Sequence, residues 1–239
     1  MPSSTVGAYI PSGLSSYPII NNNGAAVLDL TIHTGASLTI NAGRSLASHG
    51  NWTNNGTFSP NSTSSVVFSG SNANQFGGSS ITTFTNVTLN NSNTAALTLS
   101  SDLNVSVAFT FTAGRIVTGA NQVVFSNNAT ATGMSASSYV SGRVRKIGND
   151  AFTFPIGKNG YYAPVGISDP SNVAYYFTAE YFNADPDAAG YTASSVGAGI
   201  DHVSRCEYWI IDRSAGASNE NVTLSWDTPR SCGVTNPGQ

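Results

Sequence analysis

The stretch Leu30-Thr-Ile-His-Thr-Gly-Ala-Ser-Leu-Thr-Ile-Asn-Ala-Gly-Arg-Ser-Leu46 carries the reading of the fold. Its apolar residues come in short apolar-x-apolar groups separated by Gly and Asn, the punctuation of strands and tight corners. Within it, Gly35-Ala-Ser-Leu38 returns eight residues later as Gly43-Arg-Ser-Leu46. A longer repeat appears with a shift of 57: Leu30-Thr-Ile32 falls on Val87-Thr-Leu89, Leu46 on Leu103, Trp52 on Phe109, and Val66-Val-Phe68 on Val123-Val-Phe125. Leu38-Thr-Ile40 matches Leu97-Thr-Leu99 with a shift of 59, which implies a two-residue turn insertion. Repeats of single short strands predict stacked coils of a parallel β-solenoid (β-helix), at roughly 19–20 residues per coil and three rungs per 57-residue repeat. Asn suits the corners because it tolerates the left-handed backbone region and can ladder between rungs. The competing reading is a β-sandwich with two similar hairpin pairs.

Composition agrees with an all-β chain. Only 9% of the 239 residues are charged, against roughly 25% in ordinary soluble domains. Before residue 143 the charges are Asp29, Arg44, Asp102 and Arg115 alone, with no Lys or Glu and eighteen Asn. Amphipathic surface helices need charged outer faces and good helix formers, so they are excluded there. The net charge of -3 excludes an electrostatic nucleic-acid binder and a polybasic membrane-surface protein. No apolar run approaches the ~18 residues that span a bilayer, and the 40% hydrophobic content is too high for a disordered chain. Met1-Pro-Ser-Ser4 has neither a basic nor an apolar leader segment, so no secretory signal is read there.

The pattern changes near residue 142. Arg143-Val-Arg-Lys-Ile147, Phe152-x-Phe154 and Val222-x-Leu224-x-Trp226 alternate as strands with one wet and one dry face do, the grammar of an antiparallel sandwich. Tyr175–Phe182 and Tyr208–Ile211 are so continuously apolar that central pairing is expected for both. The expected organisation is a lead-in or cap over 1–26, a solenoid of about six rungs over 27–140 and a sandwich-like domain over 141–239.

Thr34-Gly-Ala-Ser-Leu-Thr-Ile-Asn-Ala-Gly43 and Gly50-Asn-Trp-Thr-Asn-Asn-Gly-Thr-Phe58 resemble the repeat regions of large secreted surface proteins of Bacteroidota. Those proteins are exported by the type IX route and are adhesin-like. Phe152-x-Phe-Pro-Ile-Gly157, Tyr162-Ala-Pro164, Glu207-Tyr-Trp-Ile-Ile-Asp212 and Val222-Thr-Leu-Ser-Trp-Asp227 are similar to the domain that follows such repeats. The resemblance implies an extracellular segment of a larger protein and carries no catalytic residue.

The residues themselves offer little chemistry. Cys206 and Cys232 are 26 positions apart with no Cys-x-x-Cys or His pair nearby, which fits a disulfide better than a metal site; the alternative is two buried thiols. His33 and His49 sit at turns without a second ligand at metal spacing. Asp201, His202 and Ser204 have triad residue types but lie too close together in the chain for triad geometry. Asp29 and Asp102 are the only carboxylates of the solenoid and occupy different repeat positions, so paired-acid polysaccharide cleavage is not expected. Asp185-Pro-Asp187 reads as a solvated turn, with a calcium site as the alternative. Arg143, Arg145 and Lys146 either meet an acidic glycan or keep an edge strand soluble, and the second account is preferred. Thr31, Thr39, Thr88 and Thr98 point outward but form no Thr-x-Thr pairs of the kind that order ice. Asn51-Trp-Thr, Asn55-Gly-Thr and Asn86-Val-Thr are sequons that composition alone explains. No catalytic, cofactor or metal residues are assigned.

The expected function is a non-enzymatic, extracellular structural or adhesive segment of a bacterial cell-surface protein. Its expected partners are surface glycans, other surface proteins or a second copy through the solenoid ends, with no nucleic acid and no membrane insertion. The alternative is a carbohydrate-binding module of a polysaccharide-processing protein, stacking sugars on Tyr161, Tyr162 or Tyr191.

Overall fold

A computed structural model describes residues 2–194, 197–198 and 203–232. Short strands stack in parallel register into a β-solenoid of about seven turns, and antiparallel sheets close one end. Each turn has three sides. The first side is built from Ala8–Ile10, Leu30–Ile32, Trp52–Asn54, Asn74–Gly77, Leu97–Leu99 and the starts of Ile116–Phe125 and Val140–Ile147. The second side begins with Ile19–Ile20, Ser37–Ile40 and Thr57–Pro60. It continues through the starts of Thr82–Asn91 and Leu103–Ala113 and the later parts of Ile116–Phe125 and Val140–Ile147. The third side holds Ala25–Val27, Ser45–Ser48, Ser65–Gly70, the later parts of Thr82–Asn91 and Leu103–Ala113, and Thr130–Thr132.

Apolar residues at alternate strand positions point inward and form one core through the whole molecule. Trp52, fully buried on the first side, meets Phe58, Phe84 and Phe68 edge-on at 5.1, 5.2 and 5.9 Å between ring centroids. These rings come from all three sides and hold the turns at one width.

Corners are stacked through polar side chains, as the Asn content suggests. Asn41 donates to the Asn21 side chain below it, and Asn61 donates to Asn41 at 3.1 Å. Asp29 accepts the Asn51 backbone N–H at 2.7 Å, and Asn51 accepts that of Gln75 at 2.8 Å. At Gly78 the backbone turns with φ +124°, and a Cβ there would lie 2.1 Å from the Asn54 carbonyl oxygen; only Gly fits.

The structure corrects the expected arrangement in several places. Partners in adjacent turns are 19 to 24 residues apart, as in Leu97 beside Ile116 and Ile116 beside Val140. A shift of 57 therefore falls short of three turns and carries each strand onto a different side. Leu30, Leu46 and Phe68 share one core with Val87, Leu103 and Phe125. They are not at equivalent places, because Leu30 stacks on Trp52 and Val87 on Val66 and Phe109. Residues 1–26 are more than a lead-in, since Ala8–Ile10 and Ile19–Ile20 pair in parallel with Leu30–Ile32 and Ser37–Ile40 and make the first turn. Nor does the solenoid stop at 140: Val140–Ile147 is its last rung.

That rung is also the first strand of the closing sheet. It pairs antiparallel with Tyr176–Phe182, which pairs with Tyr208–Ala215. A second sheet, Phe152–Phe154, Val165–Ile167 and Val222–Leu224, contributes Phe152, Phe154, Val165 and Ile167 to the same core as Phe177, Ala179 and Tyr181. Tyr176–Phe182 is central as expected, but Tyr208–Ala215 pairs on one side only among the described residues. The expected dry face of Val222, Leu224 and Trp226 is half exposed, because this edge strand overhangs the core that Val165 and Ile167 reach.

Candidate functional site

The sequence-derived candidates scatter. Asp29 caps Asn51, while Asp102 accepts both the backbone and side-chain N–H of Gln122, at 3.1 and 2.9 Å. Each carboxylate is thus a rung-to-rung cap and the two do not meet. His33 bonds the Thr34 carbonyl at 3.2 Å, and His49 faces Ser69 Oγ at 3.3 Å. Asp201 and His202 lie outside the described residues; Ser204 Oγ accepts the Cys206 N–H. Asp185 and Asp187 both hold Arg205, at 3.2 and 2.6 Å, which uses the oxygens a calcium site would need. Thr31 stacks with Thr53 on the first side, Thr39 with Ser59 on the second, and Thr88 with Thr110 and then Thr132 on the third, so these outward Thr residues are divided among three sides. Among the described residues no helix is long and apolar enough to cross a membrane.

Cys206 and Cys232 are joined by a disulfide, with Cα atoms 5.8 Å apart. Beside it lies a buried polar cluster. Tyr181 donates to Glu207 at 2.9 Å, and Arg230 and Ser231 donate to the same carboxylate. The Arg230 guanidinium also lies over the Trp209 and Tyr181 rings, at 5.5 and 5.8 Å. Burial, reinforced by the Glu207 carboxylate, pushes the Tyr181 phenol up to about 12. These contacts fasten the chain after Trp226 against the closing sheet.

The basic cluster on Val140–Ile147 divides by strand alternation. Lys146 points inward and is buried; it donates to the Ser126 carbonyl at 2.7 Å and pairs with Asp150 at 2.8 Å. Burial lowers its pKa, an effect that Asp150 partly offsets. Arg143 and Arg145 point outward on a strand paired along both edges, which overturns the edge-strand account of them.

These two arginines open onto a broad sheet face that continues the second side of the solenoid. In one row across the strands stand Asn104, Val124, Arg145, Thr178 and Asp212. Gln122 beside Arg143, Glu180 beside Ile210, and Phe182 beside Tyr208 make further rows. Arg145 lies 4.7 Å over the Tyr176 ring and donates to Thr178 at 3.3 Å. Phe182 and Tyr208 stack in parallel at 4.7 Å, Lys158 Nζ sits 5.0 Å from the Phe182 ring, and Tyr191 leans on Tyr208 at 5.7 Å. Partial burial raises the Tyr208 pKa, with Tyr191 and Glu180 adding to it. A cleft of about 230 Å³ in this face is lined by Gln122, Arg143, Arg145, Glu180, Ile210 and Asp212. Among the described residues, none of these four charged groups is in a salt bridge.

Of the three tyrosines proposed from sequence, Tyr191 alone belongs to this face and is half exposed; Tyr161 and Tyr162 form a half-buried hairpin with Gly157–Lys158. Sequence reasoning missed Phe182, Tyr208 and Glu180 because their strands read as uniformly apolar. The alternation Tyr176, Thr178, Glu180, Phe182 was the available signal.

No family model, curated protein or solved structure matches the chain.

Proposed function

We propose that the chain is a non-enzymatic, extracellular structural and adhesive segment of a bacterial cell-surface protein, the role its resemblance to Bacteroidota repeat proteins implies. The observation that carries this reading is a single hydrophobic core running through about seven side-chain-stapled turns and ending in a disulfide-fastened cap. At ~4.8 Å per turn the coils form a rigid unit roughly 34 Å long, and the disulfide suits an oxidising compartment. Ser, Thr and Asn on the outer faces provide wetting without long charged side chains. The engagement of Asp29 and Asp102 in separate rung-to-rung caps supports the non-enzymatic part of the reading.

Protease shaving of intact source cells, compared with lysed cells, tests the location. Loss of the segment from intact cells, with Cys206 and Cys232 oxidised, is expected; a protected, reduced segment overturns the reading. Hydrolysis of an unmodified polysaccharide that a single Asp or Glu substitution abolishes would overturn its non-enzymatic part. The carbohydrate-binding alternative is favoured by one observation, the aromatic and charged outer face of the closing sheet.

A further inference from the structure

We infer that the outer face of the closing sheet is a docking surface for an extended neutral polysaccharide, which names the partner of the adhesive role and rests on the extracellular reading.

The Tyr176–Phe182 strand is paired on both edges, so its backbone offers no ladder to an incoming strand, and what it presents on this face is its outward side chains. Those side chains fall into two parts about 7 Å apart along the strand, the separation of residues i and i+2. One part is aromatic: Tyr208 stacked on Phe182, with half-exposed Tyr191 tilted against it at 58°. Phe182 and Tyr208 cover each other's faces, so the ring left to pack on the C–H face of a pyranose is half-exposed Tyr191, which Tyr208 supports; rings of fixed geometry lose little entropy on binding. Stacking within the group, together with Lys158 over Phe182, holds the rings in place before any ligand arrives.

The other part is the cleft of about 230 Å³, where Arg143 and Arg145 supply fork-shaped donors and Glu180 and Asp212 supply acceptors. A sugar hydroxyl is donor and acceptor at once, so a mixed set of planar groups fits vicinal hydroxyls. A polyanion would be drawn to the guanidiniums but repelled by the two carboxylates between and beside them. Net charge across the cleft is zero, which favours a neutral chain. The face is open along the sheet, so a ligand longer than one ring runs across it.

Affinity electrophoresis of the whole chain through gels holding xylan, galactomannan, β-glucan or polygalacturonate tests this, with cellulose and chitin pull-downs alongside. At least one neutral polysaccharide is expected to retard the chain. Tyr208→Ala should weaken that retardation at least tenfold, Tyr208→Phe should retain it because the ring stack survives, and Glu180→Ala should weaken it several-fold. Circular dichroism checks that each variant folds; if Tyr208→Ala does not, Tyr191→Ala carries the aromatic arm. The inference is overturned if no neutral glycan retards the chain, if polygalacturonate alone does, or if the aromatic variants bind as the parent does. It is equally overturned if Tyr208→Ala instead dissociates a dimer in sedimentation, since the face would then join two copies. Any of these outcomes leaves surface exposure of the segment, tested separately by shaving, untouched.

Discussion

Trp52→Ala is expected to be the most damaging single substitution in the solenoid. The indole is fully buried and meets aromatic partners from both other sides of the coil. Truncating a buried Trp costs about 3–5 kcal/mol, and the site has little room to collapse because stacked turns fix its width. Loss of three edge-on ring contacts places the expected cost near the upper end, about 4 kcal/mol or more. In a chain of this size that corresponds to a fall in Tm of roughly 8–16 °C. Trp52→Phe separates packing from polarity. The indole Nε1 has no hydrogen-bond partner among the described residues, and an unpaired buried donor costs about 1–3 kcal/mol. Removing it offsets much of the lost ring area, so Trp52→Phe should lie within about 1 kcal/mol of the parent. Urea unfolding followed by circular dichroism measures both. The reasoning fails if Trp52→Ala costs under about 1 kcal/mol, or if Trp52→Phe is as harmful as Trp52→Ala.

Reducing Cys206–Cys232, or replacing both by Ser, should cost about 3 kcal/mol and speed tryptic cleavage at Arg213 and Arg230, while the solenoid turns keep their resistance; an unchanged Tm and digest would contradict this. Stability should fall as pH rises from 10 toward 12, because the unfolded Tyr181 phenol ionises near 10 while the folded one holds its proton to about 12. That stability, up to about 3 kcal/mol, is fully present below pH 10, and Tyr181→Phe should flatten the alkaline limb of a Tm-versus-pH series. A chain beginning at Ala25 loses the first turn, baring the edges of Leu30–Ile32 and Ser37–Ile40. It should associate with rising concentration in light scattering, and a persistent monomer would mean that the first turn protects nothing.

Some of the candidate site was within reach of the sequence and some was not. The disulfide was, because two cysteines in a charge-poor chain leave few other uses. Outward placement of Arg143 and Arg145 followed from alternation, but the direction of Lys146 did not register, since a charge on the dry side of a strand is rare. Its cost is met by the Ser126 and Ala129 carbonyls and Asp150, groups that only the preceding rung and the following turn bring together. Arg205 between Asp185 and Asp187 was equally invisible, because the ion pairs close a loop of about twenty residues with no local pattern. The strands of Phe182 and Tyr208 were expected to pair centrally, and their apolarity did not say which face of a two-sided sheet would be left uncovered.

By itself, the sequence determined that this chain is made of short strands with polar corners, and that its two parts follow different rules. Apolar-x-apolar groups separated by Gly and Asn allow little else, and the scarcity of charge before residue 143 removes the helical alternative. Closure was decided only in three dimensions. The eight-residue beat from Gly35 to Gly43 is the step from one side of the coil to the next, since Ser37–Ile40 lies on the second side and Ser45–Ser48 on the third. Any whole number of such steps lays apolar groups on apolar groups, so a shift of 57 matches well in sequence while carrying Leu30 from the first side to the third. What selects three sides is the width of the core: Trp52, Phe58, Phe68 and Phe84 fill a section that three short strands enclose, and that sum of volumes is written in no single repeat.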